Sequence, residues 1–453
     1  MEASAAQSRP QKGQKLELQV DDLAFGGAGV ARHDGYVVFV RDALPGDRVR
    51  AEITKRKRAY AEARTLEVVT PGPDRIAPLA DHPGAPWQVL PYERQLEYKQ
   101  RQVREALKRL GKLEGFDLHE IVPAVEQWRY RNKLEYSFGT GPDGSELVCG
   151  FHRPGSWEYI EPLEDCLLAS ERGNAARVAA LDWCRAQGLS AYDRRSQLGL
   201  LRNLVVREGR RTGELQVRLV TSDDSELDLT GFAEAVNADS VLWTRAAGVA
   251  ESTVGGFTEI VDGAGAIHEE LGELRFRLSP DAFFQTNTEM AEVLYGIAIE
   301  AAGLQGWERV YDLFCGIGTI GLSMAARAGE VWGLEIVESA ITDAIANAAA
   351  NEVGNARFFA GDVRLAMRDL GEQAGRPDVV VLDPPRAGLS AKIVRRIIES
   401  GPKRIVYVSC NPTTLAPNAA QLGEAGYALR SVRPVDMFPQ TPHIECVALL
   451  ERV

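Results

Sequence analysis

The chain has 453 residues, 45% of them hydrophobic, and a formal net charge of −12. That length suits about three domains of ordinary size. The acidic total excludes a protein that coats nucleic acid indiscriminately, no stretch is apolar enough to span a membrane, and the six cysteines form neither a CxxC pair nor a dense disulfide scaffold. We therefore expect a globular, monomeric, cytoplasmic protein with reduced thiols and no membrane partner.

The amino-terminal region is predicted to hold a disordered tail and a small β-barrel. Residues 1–13 are expected to be disordered, whereas residues 14–72 alternate short apolar runs with Gly and Pro turns, as a small barrel of the OB type does. Residues 46–64 carry seven Lys or Arg against three Asp or Glu, a local net charge of +4 (7 − 3) that indicates either an RNA-contacting face or a solvated surface. The Pro- and Gly-rich residues 73–92 indicate a linker.

The middle of the chain, residues 93–275, is predicted to be a mixed α+β domain that contacts RNA. It opens with the helix-periodic "YERQLEYKQRQVREALKRLGKL", in which Gly111 is a stop signal. Strand patterns such as "YRNKLEYSF" and "GELQVRLVTS" follow. The tracts "WRYRNK" and "RRSQLGLLRNLVVREGRR" interleave cations with aromatic and apolar residues, which suits RNA, although a cationic sheet face without a ligand has the same composition.

Residues 276–453 are assigned to an α/β domain, because strands alternate with helices from residue 308 onward. This alternation predicts a Rossmann-like parallel sheet with helices on both faces and ligands at the carboxyl ends of its strands. In the first turn, "YDLFCGIGTIGL", Gly316 and Gly318 allow the backbone to approach a ligand closely, and Glu335 ends the next strand, where it can bind ribose hydroxyls. These features fit either a dinucleotide oxidoreductase or an enzyme that uses S-adenosylmethionine.

Two further strand ends favour methyl transfer. The third strand ends in "AGD", which offers Asp362 to an adenine amino group. The fourth ends in "DPPRAGL", where a stiff Pro-Pro turn holds Asp383 beside a substrate, a position without an evident role in hydride transfer. The alternatives are that Asp383 only caps a helix and that Glu335 is a surface acid.

Cys410, in "VSCNPTTLAPN", follows the fifth strand and is a candidate nucleophile, with a buried strand-end cysteine as the alternative. A thiolate that adds to C6 of a pyrimidine activates C5 for methylation, and a general base must then remove the C5 proton. Glu445, in "FPQTPHIECVALL", is the candidate base, because desolvation at an apolar strand end raises the pKa of a carboxyl group. His443 lies two residues earlier and shares its face of the strand, although both residues could be structural.

Together, "DLFCGIGTIGL", "DPPRAGL", "YVSCNPTTLA", "FPQTPHIECVALL" and the upstream "FFQTNT" resemble the RNA (uracil-5-)-methyltransferase family, and "GGAGVARHDGYVVFVRDALPGDRVRAEI" is similar to its TRAM domain. The resemblance implies a class I methyltransferase fold, S-adenosylmethionine as cofactor, Cys410 as nucleophile, Glu445 as proton acceptor and Asp383 as a positioning group. It also implies cofactor contacts from Gln285, Phe314, Gly316, Gly318, Thr319, Glu335, Asp362 and Asp383. Position 319 is often Asn in such enzymes, so Thr319 departs from the pattern.

The linker departs from the family pattern more strongly. Many relatives hold an iron–sulfur cluster through "CGGC" and two further cysteines, but this chain has His82 and Ala85 where thiolates would stand, and of a possible set only Cys166 remains. One thiolate cannot hold a four-ligand cluster, so we expect neither a cluster nor another metal site.

The resemblance implies methylation of C5 of one uridine in structured RNA. We expect 23S ribosomal RNA as the target, because bacterial relatives specific for transfer RNA often lack the TRAM-like barrel, and tRNA uridine 54 is the alternative. An RNA cytosine-5 methyltransferase typically has Pro-Cys or Thr-Cys and a second cysteine where this chain reads "DPPR". An adenine amino methyltransferase would leave Cys410 unexplained. A non-catalytic RNA-binding assembly factor would need neither Cys410 nor the intact acids at three successive strand ends.

Overall fold

The amino-terminal strands close into a barrel in the computed structural model, which describes residues 9–141, 144, 146–156, 158–223, 226–249, 253 and 255–453. Most of the predicted disordered tail, residues 1–8, lies outside the described residues. The barrel strands, in the spatial order β1-β2-β3-β5-β4, are β1 (Lys15–Leu23), β2 (Gly29–His33), β3 (Tyr36–Arg41), β4 (Arg48–Arg56) and β5 (Tyr60–Thr70). Alternate residues such as Val38 and Val49 fill the barrel, because successive strand residues point to opposite faces. The predicted barrel is confirmed.

A helix leads from the linker to the carboxyl-terminal sheet. Helix α1 (Tyr92–Glu105) continues as one π-helical turn over Ala106–Leu110 and ends at Gly111, as the stop signal predicts. Its residue Val103 joins an apolar core of the carboxyl-terminal domain, and the short strand β6 (Asp117–Leu118) pairs with a strand of that domain. The first part of the segment assigned above to the central domain therefore packs against the carboxyl-terminal sheet.

The central domain is built on a second sheet that, over the described residues, has seven strands in the order β13-β12-β11-β10-β7-β8-β9. Its elements in chain order are β7 (Lys133–Thr140), β8 (Leu147–His152), β9 (Ile160–Pro162), α2 (Glu171–Ala186), β10 (Leu201–Glu208), β11 (Leu215–Ser222), α3 (Phe232–Val236), β12 (Ser240–Ala246) and β13 (Phe257–Gly263). One face of the sheet forms an apolar core with α2 and α3. The other face is largely polar.

The carboxyl-terminal domain is introduced by a hairpin, β14 (Ile267–Leu271) and β15 (Leu274–Leu278), and by helix α4 (Thr288–Ala302), which share its core. The remaining elements are β16 (Arg309–Leu313), α5 (Thr319–Ala325), β17 (Glu330–Glu335), α6 (Glu338–Ala350), β18 (Ala356–Ala360), α7 (Val363–Ala374), β19 (Val379–Leu382), α8 (Ala391–Ser400), β20 (Arg404–Ser409), α9 (Pro412–Glu424), β21 (Tyr427–Val435) and β22 (Glu445–Arg452). Helix α8 illustrates the local rules: Ser390 caps its first turn, Gly401 ends it with a positive φ, and Ile393 and Ile397 lie buried on one face.

The strands of this domain run in the order β18-β17-β16-β19-β20-β22-β21-β6. The first five pair in parallel, with helices on both faces of the sheet, which confirms the predicted Rossmann-like arrangement. Strand β22 enters between β20 and β21 and is antiparallel to both. Within the described ranges, none of the helices combines the length and the apolarity needed to cross a membrane.

Candidate active site

The five parallel strands bring their carboxyl ends to one edge of the sheet. Glu335 ends β17, Asp383 follows β19, Cys410 follows β20, and Asp362 follows β18 at the outer position. In the middle, Asp312 lies in β16 one residue before the strand ends. The predicted residues therefore meet at one edge because every strand between them runs the same way.

Glu445 reaches the same edge from the opposite direction. It begins β22, and because β22 is antiparallel to β20, its amino end lies beside the carboxyl ends of the parallel strands. Cys446 pairs with Ser409, the residue before Cys410. Ile444 and Cys446 join the apolar core, as the strand alternation predicts, and Glu445 is only 2% exposed. The nucleophile and base candidates thus lie on neighbouring strands.

The buried carboxyl groups at this edge have raised pKa values. Burial raises the pKa of Asp312 to about 7, against a hydrogen bond from the Gly321 amide and with help from the Asp383 charge. Burial also raises the pKa of Asp383 to about 7. The pKa of Glu445 lies well above its usual range, chiefly because of burial and then because of Asp383. A raised pKa makes the ionised form of such a group a stronger base than an ordinary carboxylate, which suits a general base.

The Cys410 thiol is protonated at neutral pH. Burial raises its pKa to about 11, and the Glu445 and Asp383 charges add to the rise. Arg386 opposes it and is also the group that counteracts the raised pKa of Glu445. Arg386 Nη2 donates to His443 Nδ1 at 2.6 Å, and burial followed by the Arg386 charge lowers the pKa of His443 to about 4. His443 is therefore neutral at physiological pH and orients Arg386. The motif "DPPRAGL" contains this arginine, but the sequence alone does not indicate its role.

The glycine turn after β16 fits a ligand that approaches the backbone. Gly316 has φ of +53°, and a Cβ there would meet no atom within 4 Å, so the turn is open on that side. Gly318 has φ of +84°, and a Cβ would lie 2.9 Å from Phe358 Cζ, so that position is closed by packing instead. Phe314 also has a positive φ, 67°, which is rare for a bulky residue and marks local strain at the turn.

Glu335 organises the next loop. One of its carboxylate oxygens accepts from the Gly316 amide at 3.3 Å, and the other accepts from the amides of Ile336 and Val337 at 2.7 and 3.0 Å. Ile336 and Val337 are 64% and 50% exposed, which leaves an apolar surface beside the acid. An acid flanked by exposed apolar residues at this strand end suits a nucleoside, with its ribose on the carboxylate.

The remaining predicted cofactor residues have distinct environments. Thr319 is buried and its hydroxyl donates to the Tyr295 hydroxyl at 3.2 Å. Asp362 caps α7 through the Arg364 amide at 2.8 Å and forms an ion pair with the Arg364 side chain, so an adenine amino group would compete with that pair. Gln285 is 5% exposed, and its backbone carbonyl oxygen accepts a hydrogen bond from Asn132 Nδ2 at 2.9 Å.

The two phenylalanines before Gln285 separate clearly. Phe284 is 3% exposed and belongs to the core, whereas Phe283 is 66% exposed.

The segment that precedes Glu445 is held by distant parts of the chain. Trp87 donates its amide hydrogen to Gln440 O at 2.9 Å. The fully buried Lys99 of α1 pairs with Asp436 at 2.6 Å. In the barrel, a Cβ on Gly27 would lie 3.0 Å from Pro442 Cβ, so the β1–β2 turn touches this segment directly. The barrel, the linker and α1 thus support the loop that carries the candidate base.

The linker positions discussed above form a compact contact with the central domain. His82 is 3% exposed, its Nε2 lies 3.3 Å from Cys166 Sγ, and Ala85 is buried. Burial lowers the pKa of His82 to about 4, so the ring is neutral. Within the part of the chain that the structure describes, no group of three or more His, Cys, Asp or Glu side chains could hold a metal ion.

The residues at the sheet edge also fit S-adenosylmethionine. The open Gly316 turn and Glu335 suit its nucleoside, and the buried Asp312 Oδ1 and Glu445 Oε2 have no hydrogen-bond partner. Several partly or fully buried carboxyl groups at one edge of the sheet favour a cationic ligand such as a sulfonium. When bound, the cofactor supplies an electrophilic methyl group.

Comparisons with known proteins agree with this geometry. The tRNA (Uracil-5-)-methyltransferase family matches residues 266–453, and the TRAM domain family matches residues 9–66. Proteins named as RNA methyltransferases from Halalkalibacterium halodurans and Bacteroides thetaiotaomicron are 36% and 39% identical, over 99% and 95% of this chain and 99% and 100% of theirs.

A solved structure extends the match to the whole architecture. The Pyrococcus abyssi tRNA (uracil-54, C5)-methyltransferase in complex with S-adenosyl-L-homocysteine has a TM-score of 0.77 and 28% identity, over 96% of this chain and 100% of that one. With the barrel, the Rossmann-like sheet and the relatives in agreement, the chain belongs to the RNA (uracil-5-)-methyltransferase family, whose enzymes methylate RNA with S-adenosylmethionine.

Proposed function

We propose that this protein transfers a methyl group from S-adenosylmethionine to C5 of one uridine in structured RNA, in the cytoplasm, through a covalent adduct between Cys410 and C6. The observation that carries the proposal is the placement of Cys410 and Glu445 on adjacent strands at the cofactor edge of the sheet. Two other RNA methyltransferase classes account for this pair less well. A cytosine-5 enzyme typically has a further cysteine that this chain lacks, and an adenine amino methyltransferase needs no thiol.

The thiol must ionise before it can attack. Its pKa of about 11, which already includes the opposing Arg386 charge, leaves it almost wholly protonated at neutral pH, so the bound reactants have to lower that value further. The Cys410 thiolate forms a bond to C6, and the electron pair of the C5–C6 double bond shifts to make C5 nucleophilic. C5 would then take the methyl group of the cofactor's sulfonium, whose S–CH3 bond would break to leave S-adenosylhomocysteine as the neutral thioether. Asp383 positions the uracil ring beside the nucleophile.

Glu445 completes the reaction. After methylation C5 still carries its proton, and the ionised Glu445 carboxylate removes it. The electron pair restores the C5–C6 double bond and the Cys410 sulfur leaves as a thiolate. A target base that lies in a loop can enter the site at a lower cost than a base-paired one, because less stacking and pairing is lost.

The target RNA has two candidates. We expect 23S ribosomal RNA from the sequence, while the Pyrococcus abyssi enzyme of known structure acts on tRNA uridine 54. Because that tRNA enzyme aligns with 96% of this chain, the amino-terminal barrel is compatible with either RNA. A non-catalytic RNA-binding factor is disfavoured, since an unused buried Glu445 would only cost stability.

Separate mass spectrometry of ribosomal and transfer RNA tests the proposal. A strain that lacks the gene is expected to lose 5-methyluridine at one position of 23S ribosomal RNA, and loss only at tRNA position 54 would select the second candidate. The purified protein, incubated with S-adenosylmethionine and unmodified transcripts, is expected to restore the same nucleoside. Methylation of cytidine or adenosine, or no methylation of any RNA from the deletion strain, would contradict the proposal.

A further inference from the structure

A cluster of three cations lies on the polar face of the central sheet, beside the active site. Lys133 of β7 is directly opposite Arg207 of β10 in the antiparallel ladder, and Arg218 lies on the next strand, β11. Like charges directly opposite each other in such a ladder destabilise a sheet. The arrangement therefore costs stability unless a negative group compensates it.

Two of the three cations are buried, and one of these two, Arg218, is only partly satisfied. Arg207 and Arg218 are 2% and 1% exposed. Arg218 donates from Nη1 to Asp281 Oδ1 at 2.6 Å, but its Nε and Nη2 are buried without a hydrogen-bond partner. Burial, followed by the Arg218 charge, lowers the pKa of Arg207 to about 10.

The nearby acids do not balance these charges. Glu135 pairs with Lys133, Asp281 pairs with Arg218, and the third nearby acid, Asp343, pairs with Arg277. Four cations thus face three carboxylates, a local charge of +1 (4 − 3). The Glu135 and Asp281 side chains are 41% and 37% exposed, so water screens them more than it screens the buried cations. The cluster reaches solvent through these two acids and Lys133, whose side chain is 18% exposed, and we call this exposed part its mouth.

The cluster is tied to the segment that enters the active site. Arg207 donates to Ser279 O at 3.0 Å and to Ala282 O at 2.6 Å, and this segment continues to the exposed Phe283 and to Gln285. Asn132, the residue before Lys133, holds the Gln285 carbonyl. An anion on the cluster would therefore lie beside the segment that carries Phe283 and Gln285.

We propose that Lys133 and Arg218 bind a phosphodiester group of the RNA strand that flanks the target uridine. The inference rests on the proposed function and adds a substrate subsite to it. Lys133 supplies a mobile ammonium charge, and Arg218 offers a planar pair of donors once the phosphate takes the place of the half-exposed Asp281. Such a contact fixes the position of the strand and reads no base.

Binding of a short RNA stem–loop with unpaired uridines tests the subsite, measured by fluorescence anisotropy from about 50 to 300 mM salt. Lys133→Gln is expected to weaken binding on the order of tenfold and to reduce the slope of log affinity against log salt by about 0.7 to 0.9. Glu135→Gln is expected to strengthen binding about threefold, because it removes a negative charge from the mouth. Lys403→Gln is the matched control, since Lys403 is 66% exposed at the opposite end of the parallel strands.

The source of the anion is tested with RNA in which single linkages near the uridine are neutral methylphosphonates. One such linkage is expected to weaken binding to the wild type as much as Lys133→Gln does, and to have no further effect on that variant. Cofactor affinity, measured by calorimetry, is expected to be unchanged in all three variants. An unchanged salt slope in Lys133→Gln, or methylphosphonate effects that add to it, would overturn the subsite. A wild type that binds the RNA with these properties but never methylates uridine would overturn the proposed function and leave the subsite standing.

Discussion

The buried Asp312 is expected to make the stability of the catalytic domain depend on pH. Its pKa rises from the usual 3.8 to about 7 because the side chain is buried, so the folded state binds a proton more tightly than the unfolded state does. A raised pKa of this kind gives stability that is complete below about pH 3.8 and is lost as the pH rises through about 7. At about 1.4 kcal/mol for each pH unit, the total loss is about 4 kcal/mol.

Asp312→Asn removes the part of this dependence that Asp312 contributes, leaves the part from the raised pKa values of Asp383 and Glu445, and keeps the contact with the helix. An asparagine oxygen can still accept from the Gly321 amide, which donates to Asp312 Oδ2 at 2.8 Å. Between about pH 5.5 and pH 8.5 the wild type is expected to lose about 2 kcal/mol that the variant retains, since part of the loss occurs at lower pH. Asp369→Asn, at an exposed carboxyl group of α7, is the control and is expected to follow the wild type.

Urea denaturation of the cofactor-free protein provides the measurement. Hydrogen exchange in peptides from β16 and β19, read by mass spectrometry, reports unfolding of the carboxyl-terminal sheet separately from the barrel. A wild-type free energy of unfolding that stays level or rises over this pH range, or an Asp312→Asn variant that runs parallel to the wild type, would refute the buried-acid argument.

Three further perturbations test the site. Glu445→Gln is expected to methylate but not to eliminate, leaving an RNA adduct on Cys410 that survives a denaturing gel; normal turnover would rule out Glu445 as the base. Arg386→Gln removes the cation that opposes the raised thiol pKa, so the pH profile of kcat is expected to shift to higher pH and the rate at pH 7 to fall about tenfold; an unshifted profile would contradict this role. Gly27→Ala is expected to lower kcat several-fold by displacing the segment that leads to Glu445, whereas Gly26→Ala, with an equally positive φ but open space around its Cβ, is the control; equal effects of the two would show backbone strain alone.

The order of elements and the identity of the edge residues could be predicted from the sequence, because both depend on local patterns. Alternating strands and helices imply a parallel sheet, and a parallel sheet collects the residues that follow its strands. Glu335 and Cys410 are therefore found where the pattern puts them.

Pairings between distant parts of the chain could not be predicted in the same way. The insertion of β22 between β20 and β21 decides that Glu445 lies beside Cys410, yet no local pattern encodes a strand order. Lys99 and Asp436 are 337 residues apart, and the helix periodicity of α1 shows a lysine without showing its partner. The contact between Arg386 and His443, which are 57 residues apart, likewise depends on the fold and not on a local pattern.

The contact between the β1–β2 turn and Pro442 limits how the enzyme can be re-engineered. The barrel could be exchanged for that of a relative in order to redirect the enzyme to another RNA. This exchange would also replace a surface that contacts the segment preceding Glu445. A chimera would need the turn at Gly27, the linker around Trp87 and the loop at Pro442 to come from the same parent. A change made in the barrel to alter RNA specificity is therefore expected to alter the turnover rate as well.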